Sequence, residues 1–316
     1  MKTHVVVGGT GGTGTALVSE LRGRGLPVRT VSRRGGSGSD GVEAVAADAC
    51  DAARMRAVCA DAAAVYHCVR PPLPVWRSVY PEVNRSLVTA AGAAGAVLVF
   101  ADDTWMYGKV DGPMTEDLPS RPVSGLGVMR AWMADMLLAA HYRGDAQVVV
   151  ARAGELYGPR VDSVLAGSLF GRAVAGRKPM WFGDPDQPIT PTYINDFAQG
   201  LASVAADPEA WGEVWHVPHG APITGRAFAG VLCGQVGRAA GVRTLSSRTA
   251  KMLGLVSTVA RIGSEVLYQF EQPFVVDSSK YHKRFDADAT PYETGIAETL
   301  AWYRLNGGKS LMIPSS

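Results

Sequence analysis

Val5-Val6-Val7-Gly8-Gly9-Thr10-Gly11-Gly12-Thr13-Gly14 decides the fold. Three consecutive valines without a polar break read as a strand buried on both faces. Gly8, Gly11 and Gly14 fall at G-x-x-G-x-x-G spacing, and a helical pattern (Ala16, Leu17, Leu21) follows. In such a strand–turn–helix unit the first glycine permits the tight turn. The second lets backbone approach a pyrophosphate, and the third lets the helix pack close on the strand. A helix beginning near Gly12 or Thr13 points its free N–H groups at the anion. The stretch therefore predicts a dinucleotide site built from Gly8, Thr10, Gly11, Gly12, Thr13 and Gly14. The plainer reading is a strand–helix turn with no ligand.

Outward from this unit the first half alternates strand and helix. Strands are predicted at Pro27–Ser32, Val42–Ala47, Ala64–Val69, Ala96–Phe100 and Gln147–Ala151. Helical stretches between most of them imply parallel strands joined by crossovers. Residues 35–41, Gly-Gly-Ser-Gly-Ser-Asp-Gly, read as a flexible surface turn. Past Arg160 the pattern becomes irregular and aromatic-rich, as in Lys178-Pro179-Met180-Trp181-Phe182-Gly183, and a long helical region is predicted from about Arg248 to Phe270. The expected fold class is α/β: a Rossmann doubly wound parallel sheet with a smaller, mostly helical C-terminal substrate domain. The nucleotide domain is expected over residues 1–165, with a return at about 186–217. The substrate domain is expected over 166–185 and 218–316.

A chain of 316 residues that is 47% hydrophobic has material for a full core. Net charge is +2, and reading the charges as interspersed gives no support for nucleic-acid or membrane partners. No apolar run reaches the ~18 residues of a spanning helix. The chain opens on a core strand, which leaves no room for a signal peptide and points to the cytoplasm. Cys50, Cys59, Cys68 and Cys233 lack metal-ligand spacing and are expected as reduced core residues, with no metal site.

The tip of the second strand faces the adenosine ribose in this fold, where a carboxylate selects NAD. Ser32-Arg33-Arg34 offers none. Two guanidinium groups suit a 2′-phosphate, so NADP is expected over NAD; the alternative is a solvated pair of loop charges. Asp48, with Ala49 just past the third strand, is placed to meet the adenine amine or to cap the next helix.

These features resemble the extended short-chain dehydrogenase/reductase family, the group of nucleotide-sugar epimerases and dehydratases. Val65-Tyr66-His67-Cys68-Val69 is similar to the family's fourth strand, whose end lies over the cofactor. Asn84 matches a family asparagine opening the next helix. Val99 to Gly108 resembles the segment ending in Val-Tyr-Gly, and Arg152 to Pro159 the strand end near the nicotinamide. Tyr193 to Ala198 resembles H-V-x-D-x-A, and Thr290 to Tyr303 the terminal helix. The resemblance implies cofactor contacts at His67, Cys68, Val69, Arg130 and Gly154, and homodimerisation through two helices flanking the sheet.

Two departures bear on chemistry. Leu126 and Arg130 occupy the positions of the family's catalytic Tyr-x-x-x-Lys, and the catalytic Ser or Thr falls at Asp103, or at Thr104 if the register slips by one. Leucine cannot transfer a proton. Arg130 is left to bind ribose or phosphate, or to decorate a helix surface. Asp103, at the ligand-facing end of the fifth strand, is the first candidate general acid or base, with a pKa raised by an apolar pocket and by neighbouring Asp102; its alternative is a turn cap. Tyr107 is the second candidate donor and Thr104 the third. His67 is expected to contact cofactor, or less simply to act as a catalytic histidine. Glu155 is expected to face substrate or to pair with Arg160. Trp105, Met106, Trp132, Trp181, Phe182, Tyr268 and Phe270 are candidate pocket residues, which suggests a small hydrophobic, polyketide-like substrate. The expected activity is NADP-dependent reduction or oxidation with a replacement acid. The alternatives are a non-redox isomerase, dehydratase or cyclase, and a non-catalytic NADP-sensing regulator.

Overall fold

The computed structural model describes residues 2–36, 41–246, 249 and 264–306. The chain divides into two compact units, one of Met1–Asp103, Val128–Arg152 and Phe197–Val217, the other of Thr104–Gly127, Ala153–Asp196 and Pro218–Ser316.

The first unit holds strands β1 (Thr3–Val7), β2 (Val28–Ser32), β3 (Val42–Ala46), β4 (Ala62–His67), β5 (Val97–Asp102), β6 (Gln147–Arg152) and β7 (Val214–His216). They form one seven-stranded sheet in the order β7-β6-β5-β4-β1-β2-β3, every pairing parallel. Strand order reverses between β1 and β4, which is where such sheets open a crevice at their carboxyl edge. Val5, Val6 and Val7 are all buried, each stabilising the fold by roughly 1.5 kcal/mol or more.

Helix α1 (Gly12–Gly23) buries Gly14, Leu17 and Leu21 at helical spacing. Helix α2 spans Ala52–Val58, α3 Trp76–Ala94 and α4 Gly125–Tyr142. α3 ends at Gly95, whose φ of +61° supplies the left-handed cap. The predicted strands are present with edges shifted by one to two residues. β7 escaped the sequence reading because three residues are too few to show a period; its register (Val214↔Val150) is set by β6.

In the second unit three short strand pairs form: Leu156–Tyr157 with Thr192–Tyr193, Met180–Phe182 with Arg243–Leu245, and Pro188–Ile189 with Ile223–Thr224. Helix α5 (Ile194–Ala206) starts in this unit and continues in the first. Helices α6 (Gly225–Gln235), α7 (Ser279–Phe285) and α8 (Tyr292–Leu305) complete it. Its core is aromatic: Tyr157 lies 5.2 Å from Phe228 edge-on and 6.3 Å from Phe170 in a stack, and Phe170 lies 6.0 Å from Tyr303. Gly295 is required there, since a Cβ would come within 2.6 Å of Tyr157 Oη.

Three sequence expectations differ from this. Residues 104–127 and 153–165 cluster with the second unit, and the return to the first covers 197–217. The second unit carries strand pairs beside its helices. The helical region from Arg248 lies mostly outside the described residues; its last part, Ser264–Phe270, is 3-10 helix. Of the 35–41 turn, residues 37–40 lie outside the described residues, while Gly35 and Gly36 have φ of +67° and +152°.

Candidate functional site

The turn after β1 is shaped by steric exclusion. Gly8 has φ +90°, and a Cβ on it would come within 2.5 Å of Cys68 O. A Cβ on Gly14 would come within 2.3 Å of Gly8 O, so the helix rests directly on the turn. Gly11 differs: its Cβ would meet only Gly8 O, at 3.5 Å. The protein itself leaves the space beside Gly11 open. α1 begins at Gly12 with no side-chain cap and no acidic residue in its first turn. Its first N–H groups therefore face outward beside an exposed Thr10. These features fit a dinucleotide pyrophosphate held by backbone.

Beside this cradle the end of β4 is fixed internally. His67 is buried; its Nδ1 accepts the Val69 N–H at 3.3 Å, and its Nε2 lies 3.1 Å from Asn84 Oδ1. That arrangement makes Nε2 the donor. Burial pushes the imidazole down to about 3, so it stays neutral. His67 therefore holds the backbone at Val69. Asn84 sits mid-way along α3, not at its start as the resemblance implied. Burial pushes the Cys68 thiol up to about 12 and keeps it protonated.

At the tip of β2, Arg33 and Arg34 are exposed. The Ser32 hydroxyl donates to Gly35 O at 2.5 Å, so it serves its own turn. Asp48 is exposed and accepts from the Cys50 N–H at 2.9 Å, while Asp51 caps α2 by accepting from Arg54 N–H at 2.9 Å. The helix cap is thus Asp51, and Asp48 with buried Ala49 forms the turn before it.

Two places along the carboxyl edge, at the end of β5, lies an array of alternating charge. Arg152 Nε contacts Asp102 Oδ2 at 3.0 Å. Arg130 NH1 is 3.7 Å from Asp102 Oδ1, and Arg130 Nε is 2.8 Å from Asp103 Oδ2. The Asp102 side chain is wholly buried, and Asp103 keeps 19% of its side-chain exposure. Burial pushes Asp102 up to about 6, against the pull of Arg152 beside it. Its Oδ1 has no hydrogen bond. Arg130 is buried, and its guanidinium carbon lies 5.0 Å from the Trp76 ring centroid, 5.8 Å from Tyr80 and 5.7 Å from Phe100. Despite its burial, the neighbouring carboxylates hold it firmly charged. The helix-surface reading of Arg130 is thereby corrected. Leu126, one turn before it on α4, is buried as well. The alternation of β5 buries Asp102 and leaves Asp103 partly open, as the strand pleat requires.

The remaining candidates belong to the second unit. Thr104 and Tyr107 are buried around a short 3-10 turn, Trp105–Tyr107. Gly154 is required by Thr190, whose carbonyl oxygen would lie 2.5 Å from a Cβ there. Glu155 accepts from the Val164 N–H at 3.0 Å and from Gln269 Nε2 at 3.1 Å. Asp196 accepts from the Thr290 N–H and hydroxyl at 2.9 and 2.6 Å, and Tyr193 donates to Glu298. Of the pocket candidates, Met106, Trp181 and Phe270 are core residues, Trp181 edge-on to Phe270 at 5.3 Å. Trp132, in the first unit, is 40% exposed on α4. Among the described residues no group of His, Cys, Asp or Glu has the arrangement of a metal site, and no helix is long and apolar enough to cross a membrane.

Sequence reasoning missed Arg152 as the partner of Asp102, and the aromatic walls around Arg130. A signal existed for the second: Trp76, Tyr80, Asn84 and Leu87 recur at helical spacing along one buried face of α3.

The sequence is 28% identical over 203 residues to dTDP-glucose 4,6-dehydratase from Actinoplanes sp., covering 64% of this chain and 58% of that enzyme. It is 26% identical over 237 residues to the enzyme of the same name from Streptomyces griseus, covering 72% and 66%. The matched stretches thus span less than two thirds of either relative. The fold superposes on the dTDP-glucose 4,6-dehydratase of Bacillus anthracis, solved in complex with NAD, with a TM-score of 0.79 at 17% identity over 97% of both chains. The profile of the NAD dependent epimerase/dehydratase family matches residues 4–217, from the first residues of β1 to the end of β7. The chain belongs to that family.

Proposed function

We propose that the protein is an NADP-dependent oxidoreductase of the extended short-chain type, acting on a small apolar substrate, with Asp103 in place of the missing tyrosine. The observation that carries this reading is the combination on one sheet edge of an open phosphate cradle at Gly11 and a partly exposed carboxylate at Asp103. Bound NADP(H) supplies the hydride. Arg33 and Arg34 bind its 2′-phosphate, and the backbone of Gly11 to Thr13 takes the pyrophosphate. Asp103, oriented by Arg130, exchanges the proton on the substrate oxygen. Calorimetric titration with NADP⁺ and NAD⁺ tests the first half: tight NADP⁺ and weak NAD⁺ binding is expected. Oxidation of NADPH against a panel of apolar ketones and aldehydes, lost in Asp103→Asn, tests the second. Turnover of a substrate without net NADPH oxidation would move the protein to the isomerase, dehydratase or cyclase branch.

The Arg130–Asp103 ion pair favours a second reading. With Leu126 inert and the acid already paired, the cofactor site can serve a regulator that senses NADP(H) and catalyses nothing. Full biological output from a folded Asp103→Asn variant would select it. The reading extends to a homodimer through α4, where Val128 and Trp132, one turn apart, are 55% and 40% exposed. A monomer by light scattering would remove that extension.

A further inference from the structure

The charges of this chain are not interspersed everywhere. Residues 163–183 and 214–246 contain no Asp or Glu. The second unit brings these two acid-free stretches together through the pairing of Met180–Phe182 with Arg243–Leu245. The Arg243 N–H donates to Pro179 O at 2.8 Å. Arg172 Nε donates to Lys178 O at 2.8 Å, which holds the connecting turn. The cations then reach across the seam in both directions. Lys178 Nζ lies 3.2 Å from where a Cβ on Gly241 would be, and an Arg238 guanidinium nitrogen 3.9 Å from where a Cβ on Gly176 would be. Arg177, Lys178, Arg238 and Arg243 are exposed, and Arg172 is half-buried.

These five cations have no ion-pair partner among the described residues. Some exposed arginines elsewhere do: Arg24, Arg85, Arg143 and Arg226 each lie within 2.9 Å of a carboxylate. The nearest acids in sequence are engaged elsewhere, Asp184 with Gln187 and Asp186 with Arg226. Uncompensated like charges on one face repel one another and weaken the fold, so an outside partner relieves a real cost.

We infer that this face docks the acidic surface of a partner protein in a transient, electrostatically steered complex. Single exposed ion pairs are weak and screened by salt, so only a partner bearing several carboxylates gains from five spread cations. Four of the five are arginines, whose fork matches carboxylates bidentately. Among the described residues, none of the exposed large apolar side chains lies in this patch, which disfavours insertion into a bilayer. Among them no exposed aromatic lies in it either, which disfavours stacking of single-stranded bases.

The test uses the full chain and fluorescein-labelled poly-L-glutamate, read by anisotropy. Binding is expected at about 20 mM salt and is largely lost by about 300 mM. The combined change Arg177→Glu, Lys178→Glu and Arg243→Glu should weaken it by about tenfold or more, whereas Arg85→Glu with Arg143→Glu should leave it within about twofold. Circular dichroism and thermal melting check that each variant is folded. If the triple reversal unfolds, Arg177→Gln with Lys178→Gln replaces it, with about a threefold loss expected. The inference is overturned by absence of binding, by equal loss in the control variant, or by vesicles rich in phosphatidylserine or a DNA duplex binding this face more tightly at equal charge concentration.

Discussion

Arg130 Nε lies 2.8 Å from Asp103 Oδ2, joining α4 to the residue that follows β5. A buried guanidinium there meets a partly exposed carboxylate. Such a pair is costly to break from one side only. Arg130→Met leaves Asp103 without this counter-charge and Asp102 with Arg152 alone, and is expected to destabilise the fold by about 3–5 kcal/mol. Combining it with Asp103→Asn should recover part of the loss. A double-mutant cycle in urea measures the coupling; strict additivity would show that the pair contributes nothing.

Asp102 makes a pH-dependent contribution whose sign follows from its raised pKa of about 6. The folded chain holds this proton more tightly than the unfolded chain does. The contribution is therefore full below the ordinary carboxylate range and is lost as pH rises through about 6. Relative to Asp102→Asn, wild-type stability should fall by ~1–1.5 kcal/mol between about pH 5 and pH 7.5. Parallel urea titrations of both proteins at the two pH values decide this; a constant difference would contradict it.

Gly11 and Gly14 separate ligand from fold. Gly14→Ala drives a Cβ to 2.3 Å from Gly8 O, and should lower stability by about 1–3 kcal/mol with loss of dinucleotide binding. Gly11→Ala meets only Gly8 O at 3.5 Å, and should melt near the wild type while binding dinucleotide about tenfold or more weakly. Melting curves and calorimetry on the two variants are the comparison. A Gly11→Ala protein that binds like wild type would mean that the space beside this turn is not used.

Arg33→Ala with Arg34→Ala tests cofactor choice. Both side chains are exposed, so stability should change by less than about 0.5 kcal/mol. Affinity for NADP⁺ should fall about tenfold or more, with NAD⁺ affinity unchanged. Equal losses for both cofactors would assign the arginines to the shared pyrophosphate.

The alternation of strand and helix and the glycine turn after β1 were legible in the amino-acid order, because an unbroken apolar run and helical spacing are local signals. Val5–Val7 is apolar without a break; glycine is required at Gly14 by Gly8 O a few residues away, but at Gly8 by Cys68 O, brought there by the adjacent strand. The amino-acid order also places Leu126 and Arg130 four residues apart, on one helix face. What surrounds Arg130 depends on the folded chain. Asp102 and Arg152 are fifty residues apart in sequence, and they meet because β5 and β6 pair in parallel register at that position. The aromatic walls of Arg130 come from α3 and β5. The same holds for the basic face, where two acid-free stretches become one surface through the pairing of Met180–Phe182 with Arg243–Leu245. Local propensity fixes an element; which charges compensate and which remain uncompensated depends on distances between elements, and those exist only in the folded chain.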